Sequence, residues 1–229
     1  MSAVRALKTF LPLGALAALV MAVSLSATAV TRSAPALAAE DAGTFLVSFG
    51  EEAAAELNDA GLTKEERAER FRALLNEAVD MQALVKFILG RYWRVATPEE
   101  RMDFQSTFEE IALQRFLPMF EGGNAEFSTD GFEVQDVRPA GKPADQVFVQ
   151  MQVRRPDGTP VTLVWRLREV DEAYKILDIS VEGISMALTL REEYGSVIRQ
   201  KGGVGPLVAL LRDKIAAGAY APPAEDGQQ

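Results

Sequence analysis

The run QVFVQMQVR at 146–154 is followed by the turn residues Pro156-Asp157-Gly158 and then by VTLVWRL at 161–167. Both runs alternate. Val147, Val149, Met151 and Val153 share one side of the first, opposite Phe148, Gln150, Gln152 and Arg154. Val161, Leu163, Trp165 and Leu167 share one side of the second, opposite Thr162, Val164, Arg166 and Arg168. A period of two marks a strand with one buried face. After Asp171-Glu172-Ala173, the residues Leu177, Ile179 and Val181 repeat the pattern opposite Asp178 and Ser180. Upstream, Phe132, Val134 and Asp136 alternate with Glu133, Gln135 and Val137 as a weaker strand. Short connections between such strands give an antiparallel meander of about four strands with one apolar face.

On either side of the meander the period is helical. Residues 41–120 place Phe45, Leu46, Phe49, Ala53 and Leu57 on one stripe, ended by Gly61. Thr63 with Glu66 forms a capping box for a helix whose apolar face is Phe71, Leu74, Leu75 and Val79. Asp80 caps a short helix through Leu84, Phe87 and Ile88, closed by Gly90. Thr97-Pro98 starts a long helix to about Phe120, with Phe104, Phe108, Ile111, Ala112, Arg115 and Met119 at 3-and-4 spacing and Gly122-Gly123 as its stop. Beyond the meander, Gly183 ends the sheet and Ser185 caps a helix carrying Leu188, Arg191, Tyr194 and Ile198. Gly202-Gly203 stops it, and Gly205-Pro206 opens a last helix with Leu207, Leu210, Leu211 and Ile215. The fold class is α+β: helices cover the apolar face of one antiparallel sheet.

The N-terminus reads as an export signal. Arg5 and Lys8 precede an uncharged apolar stretch from Phe10 to Val30, and Pro35 is followed by the small-x-small pattern Ala36-Leu37-Ala38. Cleavage falls near Ala38, giving a signal peptide over 1–38, one domain over 39–220 and a disordered tail over 221–229. The competing reading is an uncleaved anchor, since about 20 apolar residues span a bilayer. The segment carries Arg5, Lys8 and Arg32 and no acid, so its removal shifts the net charge from −9 to −12. So acidic a chain is a poor binder of nucleic acid, which requires a basic stripe.

The chain has no His and no Cys. That excludes a Ser-His-Asp triad, His-ligated metal, thiolate zinc, iron–sulfur clusters and disulfides. The paired acids Glu51-Glu52, Glu65-Glu66, Glu99-Glu100, Glu109-Glu110 and Glu192-Glu193 all lie on helices as solvated faces, not across a cleft. Ser185 lacks the second glycine of a nucleophile elbow, Ala187 standing there instead. Gly202-Gly203-Val204-Gly205 follows a helix and has no Gly-Lys-Ser/Thr, so it is no phosphate loop. No cofactor is expected, and the chemistry left to the chain is that of its apolar surface.

Two stretches carry a family resemblance. One is Phe71-x-x-Leu74-Leu75-x-x-x-Val79-Asp80, continuing to Leu89-Gly90-x-Tyr92-Trp93-Arg94-x-Ala96-Thr97-Pro98-Glu99. The other is Asp178-Ile179-x-Val181-Glu182-Gly183-Ile184-Ser185, running to Arg191-x-x-Tyr194. With the export signal and the helix-then-sheet order, the chain resembles the Mla-type (toluene-tolerance) periplasmic lipid-carrier family over roughly residues 42–215. The Ser185-to-Tyr194 stretch resembles its hopanoid-associated branch. Arg101 departs from the glutamine the family often shows there. The resemblance implies a periplasmic carrier taking a phospholipid or hopanoid between inner and outer membranes. Its implied partners are an inner-membrane ABC lipid transporter complex and an outer-membrane partner. On the apolar faces, the expected lipid-binding residues are Val149, Met151, Leu163, Trp165 and Ile179 of the sheet. They would face Phe104, Phe108 and Leu188 across a cavity. A non-enzymatic adaptor with a solid core is the rival reading, and a His-free hydrolase the third. Arg191, among apolar neighbours, is expected to pair with Asp80 or Glu182. The signal-peptide reading is checked by the intact mass of protein recovered from the periplasm. It should start at Ala39, and a full-length chain in the membrane fraction would overturn it.

Overall fold

The computed structural model describes residues 34–120, 131–154, 158–171 and 173–221, with side chains in the first helix described from Ala42. The apolar signal stretch, the Gly122-Gly123 stop, Pro156-Asp157 and the tail beyond 221 lie outside the described residues. Six α-helices are present among them: α1 Ala34–Leu57, α2 Lys64–Ala78, α3 Met81–Leu89, α4 Pro98–Phe116, α5 Met186–Lys201 and α6 Val204–Ala216. Five strands, β1 Glu133–Pro139, β2 Gln146–Arg154, β3 Pro160–Val170, β4 Ala173–Val181 and β5 Ile184–Ser185, form one sheet in sequence order. Every pairing in it is antiparallel. The architecture is the expected α+β class, with one strand more. The turn Glu182-Gly183 explains the addition: both residues have positive φ, 49° and 82°, which folds Ile184 back onto Val181.

The caps form where the side-chain chemistry places them. Thr63 and Thr97 each accept a hydrogen bond from the backbone N–H three residues on, and Glu66 and Glu100 close the reciprocal bonds. Asp80 accepts from the Ala83 N–H and Ser185 from the Leu188 N–H. The long helix stops its α geometry at Phe116, and Leu117–Phe120 continue as a 3-10 turn around Pro118. Gly90, with φ 54°, ends α3 and begins a second 3-10 turn, Gly90–Arg94. A Cβ at Gly90 would stand 3.1 Å from the Arg191 guanidinium, so the position excludes a side chain on two grounds.

The sheet's core face departs from simple alternation at two places. In β4 the residues Tyr174 and Ile176 are buried with Ile179 and Val181, because the register shifts as Leu167 meets Ile176 and Arg166 meets Asp178. Leu177 is the extra residue of this bulge, and it is buried outside the main core cluster. In β1 a bulge between Val134 and Asp136 puts Val137 opposite Val149, so Val134 and Val137 share a side and Asp136 does not join it.

Two fastenings hold the elements together, the first between helix and sheet and the second within the helical layer. At one end, Val79 bridges Ile176 in parallel and the Asp80 N–H donates to the Ile176 carbonyl at 3.0 Å. The Asp80 carboxylate pairs with Arg168 of β3. Arg191 therefore does not have Asp80, and Glu182 accepts from the Thr162 N–H instead. Arg191 lies over the Phe87 ring, 5.0 Å from its centroid. At the other end, the buried guanidinium of Arg67 donates to the carbonyls of Leu57 at 2.7 Å, Asp59 at 3.0 Å, Leu62 at 3.5 Å and Phe120. Replacing Arg67 by Met leaves buried carbonyls without donors, and should lower the unfolding free energy by about 3 kcal/mol. Urea denaturation measures it, and an unchanged midpoint would show that the guanidinium holds nothing together.

Candidate functional site

The sheet side of the expected site is brought together by register. Val149, Trp165 and Ile179 stand opposite one another across β2, β3 and β4, and Met151 and Leu163 form the next rung with Val181. Phe104 of α4 is also fully buried. Its ring meets Tyr194 edge-on, with centroids 5.9 Å apart and planes at 86°, and lies 6.2 Å from that of Phe108.

Burial separates these residues into two groups. Phe104, Val149, Leu163 and Trp165 have 0% exposed surface, Met151 1% and Ile179 5%. A residue without accessible surface borders neither solvent nor a void large enough for water. In this arrangement Val149, Leu163 and Trp165 are therefore packed core and line no open chamber, while Ile179 and Val181 keep a little accessible surface. Phe108, by contrast, is partly accessible while packed against the core. Leu188 does not belong with the rest: it is 47% exposed and outside the core cluster. The buried side of α5 runs through Ala187, Tyr194 and Ile198, and Leu188 is turned about 100° from Ala187.

Part of the apolar surface that stays accessible lies along α4 and the 3-10 turn after it. Phe108, Ile111, Phe116 and Met119 are all partly exposed, and Phe45, Val137 and Val147 have the same intermediate character on α1, β1 and β2. The closest backbone approaches of α4 are to α6, α3 and α2, not to the sheet. Two polar contacts fix α4 to α6: Arg212 to Asp103 at 2.7 Å, and Gln114 to the Ile215 carbonyl at 2.8 Å. Between these helices lies a pocket of about 230 Å³ bounded by Thr107, Glu110 and Arg212, below the roughly 300 Å³ at which ligand pockets begin. Ile111, Phe116 and Met119 are apolar positions that strand alternation and caps did not single out as a site. The signal for them was the length of the 3-and-4 stripe, which continues past Phe108 to the end of the helix.

Electrostatics add three features. Burial lowers the pKa of Arg115, in the last turn of α4, below its ordinary value. Burial also raises the Tyr194 phenol well above 10, and that of Tyr220 to about 12 with a further contribution from Glu193. The Trp165 indole N–H is buried without an acceptor. Among the described residues, no three acidic side chains converge as a metal site.

These elements define an antiparallel meander covered by helices over a packed apolar core. Residues 49–213 match the MlaC protein family, more than half of the chain, and the chain belongs to that family. Toluene tolerance protein ttg2D of Pseudomonas putida is 26% identical over 133 residues, 56% of this chain and 58% of that protein. The chain thus matches less than two thirds of this curated relative's length. Among solved structures, the phospholipid-binding protein of Ralstonia solanacearum, in complex with a phospholipid, superposes with a TM-score of 0.63 at 22% identity. The superposition covers 80% of this chain and 97% of that one, a likeness of fold.

The buried phenols give a pH dependence. Their folded-state pKa values are raised above the unfolded value near 10, so their contribution to stability is present below about pH 10 and is lost as pH rises toward 12. Urea midpoints should hold steady to about pH 10 and then fall, and Tyr220→Phe should make that fall shallower. A Tyr220→Phe profile that superimposes on the wild type would count against the burial of this phenol.

Proposed function

We propose that the mature chain is a periplasmic lipid carrier. It takes a phospholipid between the inner and outer membranes as the soluble component of an ABC-type lipid transport system, with a hopanoid as the alternative cargo. Membership of the MlaC family over residues 49–213 carries this reading. The fold shared with a phospholipid-bound protein supports the cargo class. Physical chemistry agrees. Two acyl chains hold roughly 30 methylenes, and exposing them to water would raise a barrier on the order of 20 kcal/mol. A protein that covers them removes most of that barrier without bond chemistry, which suits a chain lacking His and Cys. The accessible stripe of α4 and its counterparts on α1, β1 and β2 are the surface offered to the tails. The core residues Val149, Met151, Leu163, Trp165 and Ile179 join it if the layers part.

The adaptor reading has one observation in its favour, the complete burial of Val149, Leu163 and Trp165. A carrier whose layers close when empty shows the same burial. Native mass spectrometry of the mature protein, followed by extraction and lipid analysis, separates the two. The carrier should hold close to one lipid per chain, and the extract identifies phospholipid or hopanoid. An empty protein that also takes up no added lipid would establish the adaptor.

A further inference from the structure

Arginines gather around the 3-10 turn Gly90–Arg94 with no acid to balance them. Arg91 donates to the Tyr92 phenol at 2.8 Å, and its guanidinium lies 4.9 Å from the centre of that ring. Arg199 of α5 acts on the same phenol, and the two cations, Arg91 first, draw its pKa below the ordinary value. The Tyr92 ring and the Arg199 guanidinium both stand 3.9 Å from the place a Cβ on Gly195 would take, so this glycine gives them room. Arg191 lies against Gly90 and over the Phe87 ring. Arg101 donates to the Trp93 carbonyl at 2.9 Å and lies 4.7 Å from the ring centroid. Arg94 follows Arg91 by three residues, a spacing at which side chains in a 3-10 helix eclipse.

Elsewhere in the molecule Arg72, Arg168 and Arg212 take carboxylates. Around this turn the cations take aromatic groups instead, and among the described residues none of them is in an ion pair. Residues 81–98 carry Lys86, Arg91 and Arg94 and no acid, in a chain with 33 acidic residues against 24 basic ones. Glu100 is engaged by the backbone N–H groups of Thr97 and Gly205. Arg91, Arg94, Arg191 and Arg199 are exposed. Val95, next to Arg94, is 76% exposed, and Met102, next to Arg101, is 67% exposed. Tyr92 and Trp93 are half-buried between them.

We infer that this face is a membrane-contact surface that seats the protein on an anionic phospholipid bilayer. The arginines meet headgroup phosphates, Tyr92 and Trp93 lie at headgroup level, and Val95 and Met102 enter the edge of the acyl region. An acidic protein would attract the same cations, but it gains little from two aliphatic side chains that protrude singly among guanidiniums. A bilayer, with negative charge overlying hydrocarbon, takes both. The acidic remainder of the chain does not cancel the attraction, because exposed charges more than about 8 Å apart are largely screened at physiological salt. The surface goes beyond the carrier reading and does not depend on what the interior holds.

The test is sedimentation of the mature protein with two kinds of vesicle, at low and at high salt. One is phosphatidylcholine alone, the other phosphatidylcholine and phosphatidylglycerol in equal parts. Wild type should bind the phosphatidylglycerol vesicles at low salt, release them at high salt and leave phosphatidylcholine vesicles unbound. Each arginine near such a surface is worth about fivefold in affinity, so R91Q/R94Q should bind roughly twenty- to thirtyfold more weakly. R91K/R94K, which keeps the charge, should bind nearly as wild type, and this comparison decides should R91Q/R94Q melt at a lower temperature. V95S/M102S should weaken binding severalfold. R138Q, at the far strand β1, should leave it unchanged. Phosphatidylglycerol vesicles left unbound by wild type overturn the assignment and leave an acidic protein as the partner of this face. Equal binding to both kinds of vesicle overturns it, as does binding that R91Q/R94Q leaves intact or that R138Q reduces as much. Binding indifferent to V95S/M102S overturns the insertion of the two aliphatic side chains.

Discussion

A buried cation with no carboxylate opposite it is the constraint on which the helical layer depends. Arg67 is buried, and the groups around it are carbonyls: the last of α1, two in the turn to α2, and the last of the 3-10 turn after α4. Helix C-termini expose unpaired carbonyls and the negative end of the helix dipole. One guanidinium satisfies two such ends at once and ties them to the first turn of α2. The exit of α4 is thus held from the side of α1 and α2. Its N-terminal half is held separately, by the Arg212–Asp103 pair and by the Glu100 carboxylate accepting from the Gly205 N–H. The stripe from Phe108 through α4 to Met119 in the following 3-10 turn packs against the core while staying partly accessible.

The Val79–Asp80 fastening does for the sheet what Arg67 does for the helices. It occupies the outer side of β4 near Ile176, and Asp80 holds Arg168 while its other oxygen caps α3. One carboxylate therefore sets the position of α3 against β3 and β4. Arg166 and Arg191 both lie over the Phe87 ring, which extends the same junction by cation–π contact.

The parts legible from sequence were those with a local physical cause. Caps at Thr63, Asp80, Thr97 and Ser185 depend on a side chain three residues from the N–H it accepts, and the strands β2 and β3 on unbroken alternation. Features with no local signature were lost. The bulges at Gln135 and Leu177 shift register without changing composition, so Val137, Tyr174 and Ile176 went unassigned to the core face. Leu188 is three residues from Arg191 but six from Tyr194, about 120° away around α5, whereas Ala187, seven residues before Tyr194, shares its face and takes the buried position. Arg67 lies in an ordinary charged run, Glu65-Glu66-Arg67, and only the converging helix ends make it structural. The site was legible as an inventory of apolar faces. Which of them are packed and which accessible depends on how the layers meet.

That distinction bears on how such a domain would work as a carrier. The rungs Val149–Trp165–Ile179 and Met151–Leu163–Val181 are close-packed, and close packing resists gradual loosening, because small gaps forfeit dispersion contacts without admitting anything. An interior of this kind opens as a layer or not at all. The Trp165 indole N–H, buried without an acceptor, sits at the centre of that layer. Leaving such a donor unpaired costs about 1–3 kcal/mol, and the cost belongs only to the closed arrangement. Parting the layers lets the N–H meet water or an ester carbonyl, so the closed state's advantage is reduced where a cargo would enter.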